Sequence, residues 1–371
     1  MKSIGLKFSN GPDRDFVRAL KREVNAYFEE NQISRRANGA MKRKTVVMLS
    51  LLFVPYLLIM SNQCSLLSMW GLAILMGMGV AGVGFPVTHD ALHGSYSASR
   101  RVNGSLGLVL DLMGASSYVW KLRHNVMHHT YTNIQGADVD LDVSVLLRLS
   151  PGSRHHAMQR CQRLYAFGAY SFATLHWVLV KDYINIFRRS MGPYREIRHK
   201  PGQVALMFAM KLLYYCNTIV LPLWLLDLTW WQFTLGFLSF HFTAGFLLTV
   251  VFQLAHVVEG PSHYATKGDE QMEDAWMVHQ LRTTANFAKR NRLLSWFIGG
   301  LNYQIEHHLF PNICSIHYAA LSPIVKRVAR AHGVPYFEHA TLRAAIASHY
   351  RTLCRLAEPA MTPEAYAAAA T

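Results

Sequence analysis

The sequence predicts an all-α integral membrane protein: four transmembrane helices as two hairpins, with interfacial helices and a cytoplasmic helical cap. Three observations predict it. The 371 residues are 51% hydrophobic and only 16% charged, with a mean hydropathy of +0.12, whereas roughly a quarter of a soluble domain is charged. Four apolar runs approach the ~20 residues that a bilayer core requires. Lysine and arginine are missing from the two short breaks inside the paired runs.

Residues 1–44 form a polar, basic N-terminal segment. Within it, Phe16, Leu20, Val24, Tyr27 and Phe28 recur at helical spacing between Asp13 and Glu30, as in an amphipathic helix. The opening MKSIGLKFSNGPDRDF lacks the apolar core of a signal peptide. The run 45–60, slightly short for a span, the break SNQCS and the glycine-rich run 66–87 read as the first hairpin. Residues 105–120 are apolar but contain Asp111, which suits an interfacial or a re-entrant helix. Residues 121–163 are polar. Residues 164–187 are aromatic and apolar yet hold His176, Lys181 and Asp182, as a helix lying in the interface would. Runs 204–226 and 231–255 make the second hairpin, broken at Asp227 and Thr229, with Trp224, Trp230 and Trp231 at the level of an aromatic belt. The membrane domain is thus expected over 45–335, with 336–371 as a C-terminal helix and an Ala/Pro-rich tail. The five cysteines form no CxxC pair and read as isolated thiols.

Charge orients the hairpins. Of 37 Lys and Arg residues, 11 fall in 1–44, 14 in 88–203 and 11 in 257–371, leaving only Lys211 inside a span. The positive-inside rule then puts both termini and the cap in the cytoplasm, at the inner membrane if the source is prokaryotic. A formal charge of +15 would also suit nucleic acid, but the apolar runs favour a membrane, and no nucleic-acid partner is expected.

Histidines cluster in three places: His89 and His93 in THDALHG; His124, His128 and His129 in HNVMHHTYTN; His307 and His308 in NYQIEHHLFP, after Gln304 and Glu306. Helical residues four apart share a face. His89/His93, His124/His128 and Gln304/His308 each have that spacing, and His129 adds a neighbouring direction. His256 ends the fourth apolar run. Each group alone has a plainer reading as a helix cap, a surface cluster or an interfacial histidine. The charge-derived topology, however, puts them all on one side of the membrane, which points to one polynuclear metal site. Neutral imidazole suits Zn, Cu, Fe and Ni. Eight histidines are twice what one tetrahedral zinc takes, so two metals are expected. Asp90, Asp138, Asp140, Asp142 and Glu306 are candidates to orient the imidazoles; the three aspartates read equally well as a solvated acidic turn. His155 and His156 read as solvated surface, and His176 and His241 as structural. His279 and His317 lie close enough in sequence to the third cluster to support it.

A metal site at the membrane surface, reached from apolar spans, suggests a lipid substrate. Most lipid carbons are unactivated methylenes, whose hydrogens acid–base groups cannot remove and an iron–oxygen oxidant can. No catalytic residue beyond the metal centre is expected. Arg282, Lys289 and Arg290 are candidates to meet an anionic head group.

The boxes HDALH, HNVMHH and QIEHH, with HHTYTN after the second, TTANF before the third and HLFP after it, resemble the membrane fatty acid desaturases over roughly residues 40–335. Gln304, where the third box could begin with histidine, resembles the front-end subgroup and related bacterial linoleoyl-CoA desaturase-like proteins. The resemblance implies a non-haem di-iron centre held in the cap of a mushroom-shaped, four-span fold. It implies insertion of a cis double bond into an acyl chain with O2 and two electrons. The implied ligands are His89, His93, His124, His128, His129, His307 and His308. His256 matches an extra histidine from the end of the fourth span, and Gln304 is a ligand or a water-mediated neighbour. Many front-end members carry a fused cytochrome b5 domain with an HPGG motif. This sequence has no HPGG and only 44 residues before its first apolar run, so a separate ferredoxin or cytochrome b5 is the expected donor. The acyl carrier (CoA, lipid or carrier protein) stays open. The nearest alternative is a lipid hydroxylase on the same scaffold. A membrane metal-binding or transport protein would hold its site near the midplane, whereas these histidines lie past the span ends.

Overall fold

The computed structural model describes residues 2–3, 6–9, 11, 13–141, 145–265, 271–362 and 365–366. Asp142, one of the carboxylates expected near the site, lies outside them. Four helices are long and apolar enough to cross a membrane: Gly39–Met60, Leu66–Leu92, Pro201–Leu225 and Trp230–His256. They are the four spans, in two hairpins, of a helical membrane protein. The first is not short. It starts at Gly39, because the Asn38 side chain accepts the Met41 N–H and caps the helix within polar sequence that hydropathy disregards.

The second and fourth spans pack side by side along their length. A Cβ on Gly77 would stand 2.5 Å from the Phe240 carbonyl oxygen and 2.8 Å from Thr243 Cβ, so only glycine permits this approach. The two spans run the same way. Their C-terminal ends, bearing His89 and His256, therefore finish at the same end of the bundle.

A polar cap covers that end. Phe16, Leu20, Val24 and Phe28 of the helix Arg14–Glu30 pack on Leu321, Val325 and Val328 of Tyr318–Ala331. The all-α expectation holds apart from strands of two or three residues, such as Ala285–Phe287 beside Phe337–His339 in parallel. The helix Leu342–Leu356 lies against the fourth span, with Leu353 in one core with Val250 and Leu254.

The stretch 164–187 folds as the helices Gln162–Ser171 and Ala173–His176, a π-helical turn Trp177–Lys181, and the helix Asp182–Phe187. Asp182 is buried and pairs at 2.9 Å with Lys211 of the third span. Lys211 also donates to the carbonyls of Gly114 at 2.7 Å and Val178 at 2.8 Å. A lysine inside a span is expensive unless so matched.

Candidate metal centre

The second histidine cluster sits on a helix with a defect. Ser117–Trp120 opens it, Lys121–His128 is π-helical and His129–Tyr131 closes it. The His129 N–H bonds to the His124 carbonyl, five residues back, as in a π-bulge. The His124 and His128 rings nevertheless stay side by side, stacked with centroids 5.2 Å apart, as their spacing predicts. His124 gathers with His89, His93 and His307, while His128 gathers with His256 and His308. His129 joins His307 and His308. Within each group one ring nitrogen per histidine lies within 4.8 Å of the others.

The first cluster follows another π-helical turn, Gly84–Thr88. Gly299, at φ +66°, lets the loop before the third cluster press on it; a Cβ there would stand 2.6 Å from Pro86 Cβ. The third cluster rides on the short helix Gln304–Leu309, whose Ile305 N–H is held by Asn286 Oδ1 at 2.9 Å.

The ring nitrogens divide into outer and inner. His128 Nδ1 bonds Asp138 Oδ2 at 3.0 Å, His308 Nδ1 bonds Gln280 Oε1 at 2.9 Å, and His256 Nδ1 bonds the Thr283 carbonyl at 3.3 Å. Each bond leaves the proton on Nδ1 and a lone pair on Nε2. Those three Nε2 atoms are buried without a partner, as are His93 Nε2, His307 Nε2, His89 Nδ1 and His129 Nδ1. One unsatisfied buried polar group costs about 1–3 kcal/mol. The five Nε2 atoms among them are what metal ions would satisfy, while His89 Nδ1 lies 3.9 Å from Asp90 Oδ1 and His129 meets His124 through Nε2 at 3.2 Å; the donor set fits a two-metal site of the ions that imidazole suits.

Burial pushes the pKa of His93, His129, His307 and His308 well below the ordinary histidine range, and neighbouring imidazoles push the same way. His124 is lowered to about 3, again chiefly by burial. Burial also opposes charge on His128, but Asp138 beside it raises it overall. The neutral imidazole is the form that binds metal.

The carboxylates differ in what they hold. Asp138 bonds His128 and also accepts the Asn133 N–H at 3.0 Å. Asp140 lies 3.8 Å from His124 Nδ1 and pairs with Arg123 at 2.9 Å and Lys181 at 3.6 Å. Asp90 Oδ1 is 3.9 Å from His89, while its Oδ2 takes the Ser315 N–H at 2.9 Å and hydroxyl at 2.8 Å. Glu306 bonds Asn286 at 2.8 Å and Tyr336 at 2.7 Å, which anchors the third cluster's helix to the cap.

Beside the metal-binding end lies a cavity of ≈ 370 Å³, lined by Gln304 together with His89, His124 and His307. Arg123, Asp140, Lys181 and His176 give it a polar end; Val80, Ala244 and Phe240 belong to its apolar depth. His241 lines it too, held by the Tyr214 hydroxyl at 2.7 Å. Of the basic residues expected near a head group, Arg282 pairs with Asp274 at 3.4 Å and Lys289 with Glu338 at 2.6 Å. Neither these two nor Arg290 is among the cavity's lining.

Sequence reading missed several supporting groups. Thr132 and Asn133 stand in the HHTYTN flank, and Asn133 Nδ2 lies within hydrogen-bonding distance of the His256, Ser262 and Thr283 carbonyls. The Tyr318 hydroxyl lies 3.2 Å from His307 Nδ1, and the Trp276 indole donates to the His129 carbonyl at 3.0 Å. Gln280 has no motif around it.

The family described as fatty acid desaturase matches residues 65–340. The chain is 36% identical to the sn-1 linoleoyl-lipid 6-desaturase of Synechocystis sp. over 92% of its own length and 95% of that protein. It is 35% identical to the sn-1 linoleoyl-lipid 6-desaturase of Arthrospira platensis over 96% of each. An acyl-lipid (8-3)-desaturase of Physcomitrium patens is 32% identical over 95% of this chain and 74% of that protein. The front-end subgroup expected from Gln304 agrees with these relatives.

Proposed function

The chain belongs to the fatty acid desaturase family, and we propose that it introduces a cis double bond into the acyl chain of a membrane lipid at a histidine-held pair of irons. The observation that carries the reading is the convergence of unpartnered imidazole nitrogens at the head of an apolar cavity. His89, His93, His124 and His307 would hold one ion, and His128, His256 and His308 the other, with His129 beside both groups. Gln304 faces the same cavity and would approach the first ion directly or through water.

Bound there, two non-haem irons supply the oxidation with O2 that side-chain acids and bases cannot. The balance is one acyl chain, O2, two electrons and two protons, giving the alkene and two waters. The protein's part is placement. The apolar cavity holds the chain extended and excludes water. Arg123, Lys181 and Asp140 form its polar end, with Asp140 beside His124, which suits a head group close to the metals. That supports a bond near the carboxyl end, as the relatives' name 6-desaturase describes for them. Asp138, Gln280 and the Thr283 carbonyl hold the imidazoles by their outer nitrogens. The electrons would come from a separate ferredoxin- or cytochrome-b5-type protein, and the basic cap would face the cytoplasm.

The test is expression in a host lacking such unsaturated lipids, with the acyl chains analysed by mass spectrometry and iron measured in the purified protein. A new double bond and bound iron, both lost in His308→Ala and His93→Ala, are expected. A hydroxylated product would move the reading to a hydroxylase, and wild-type product from His308→Ala would sink the site.

A further inference from the structure

A second cavity lies behind the first. It measures ≈ 110 Å³ and is apolar, drawing Tyr56, Ala73, Thr218 and Phe237 from all four spans. It sits toward the outer turns, reaching Leu66 and Trp231 near the starts of the second and fourth spans. Along the second span the outer cavity touches Ala73 and Met76, and the inner one Val80 and Gly84. The spacing of these residues keeps them on one helix face. Along the fourth span the outer cavity ends at Phe240 and the inner one begins there. Among the described residues Phe240 is the only one that lines both.

We propose that Phe240 is the stop that sets the acyl-chain length this enzyme accepts, and that its ring is what divides the inner cavity from the outer one. The inference rests on the desaturase reading above. Its direction follows from polarity. Leu146 is 44% exposed and lines the cavity with Lys181 and His176, which supports a mouth at the polar end. A head group stays there and the methyl end points inward. From Phe252, beside the metal groups, to Phe240 the fourth span advances roughly 18 Å, the scale of an extended fatty tail. Phe240 is 5% exposed. Its backbone is pinned, since its carbonyl oxygen abuts Gly77 too closely for any larger residue. The ring cannot step aside by moving the helix.

One methylene gained or lost in an apolar pocket changes discrimination by roughly tenfold or more. The experiment feeds a host expressing wild type, Phe240→Ala or Phe240→Trp a series of fatty acids of increasing length, and reads the product ratio of long to short chains. Phe240→Ala is expected to raise that ratio about tenfold by joining the cavities, and Phe240→Trp to lower it. Iron content and thermal stability report folding in each variant. An unchanged ratio in both variants, or a shift of the same sign in both, overturns the proposal. So does a folded, iron-loaded Phe240→Ala that desaturates no length at all, because a stop takes no part in the chemistry. If the wild type itself makes no unsaturated product, the desaturase reading fails instead.

Discussion

Gln280 holds His308 by its outer nitrogen: the Nδ1–H donates to Gln280 Oε1 at 2.9 Å, and Nε2 is left buried and unpartnered on the metal side. The Thr132 hydroxyl lies 2.9 Å from the same oxygen and 2.7 Å from the His128 carbonyl. An imidazole fixed in tautomer and tilt binds metal better, and loss of such a partner typically lowers affinity ~10–100-fold. Gln280→Leu should therefore lose metal by about that factor, whereas Gln280→Glu keeps the acceptor and retains it. Iron titration with a competing chelator reads the difference. Equal affinity in wild type and Gln280→Leu would show that the bond orients nothing.

Much of this site was legible before any coordinates, and the rest was hidden for physical reasons. The four spans and the eight histidines follow from hydropathy and from local clusters. The partition between metal groups does not. Spacing predicts that His124 and His128 share a face, and their rings do stack at 5.2 Å, yet each gathers with histidines that only the fold brings to it. Gln280 is invisible because its role depends on a contact 28 residues away in sequence. Lys211 is the one Lys or Arg inside a span in the sequence, and its buried partner Asp182 becomes visible only in the fold. The first span looked short because a window of hydropathy ignores an N-cap.

Gly299 carries the loop before the third box over the turn before the first. Its φ of +66° already disfavours a side chain, and a Cβ would collide with Pro86 at 2.6 Å. Gly299→Ala should destabilise the protein by more than about 1 kcal/mol and shift Gly84–Thr88, hence His89. Reduced iron content alongside a lowered melting temperature is the expected pair of outcomes. Full iron loading at wild-type stability would mean the contact relaxes freely.

Lys211 and Asp182 are 3% and 0% exposed in their side chains. Removing one partner of such a pair leaves a buried charge and typically costs about 3–5 kcal/mol. Lys211→Met should thus be severely destabilised in detergent. The double variant Lys211→Met with Asp182→Asn should recover part of the loss, because it removes the unpaired charge and Asn keeps one acceptor oxygen for either the Ser116 N–H or the Trp177 indole, which now donate to different carboxylate oxygens at 2.8 and 3.0 Å. Thermal unfolding of wild type, Lys211→Met, Asp182→Asn and the double variant tests the coupling; additive losses would argue against it.

Glu259 joins the end of the fourth span to the C-terminal helix. It accepts from Arg351 Nε at 2.9 Å and from Arg355 Nη2 at 2.9 Å, and its N–H donates to Ser348 Oγ at 2.8 Å. The Arg351 hydrogen bond, helped by the charge of Arg355, holds its carboxyl below the ordinary range. A carboxylate so lowered adds stability that is fully present above the unfolded value, about 4.3. That stability is lost as pH falls through the lower folded value. Glu259→Gln should therefore melt below wild type at neutral pH by a margin that stays level down to about pH 5 and closes in stronger acid. The variant also separates docking of Leu342–Leu356 from metal binding, since Glu259 touches no histidine of the two groups: iron content should stay at the wild-type level while the melting margin follows pH. A margin that is flat through acid would mean that Arg351 and Arg355 do not hold this helix in place.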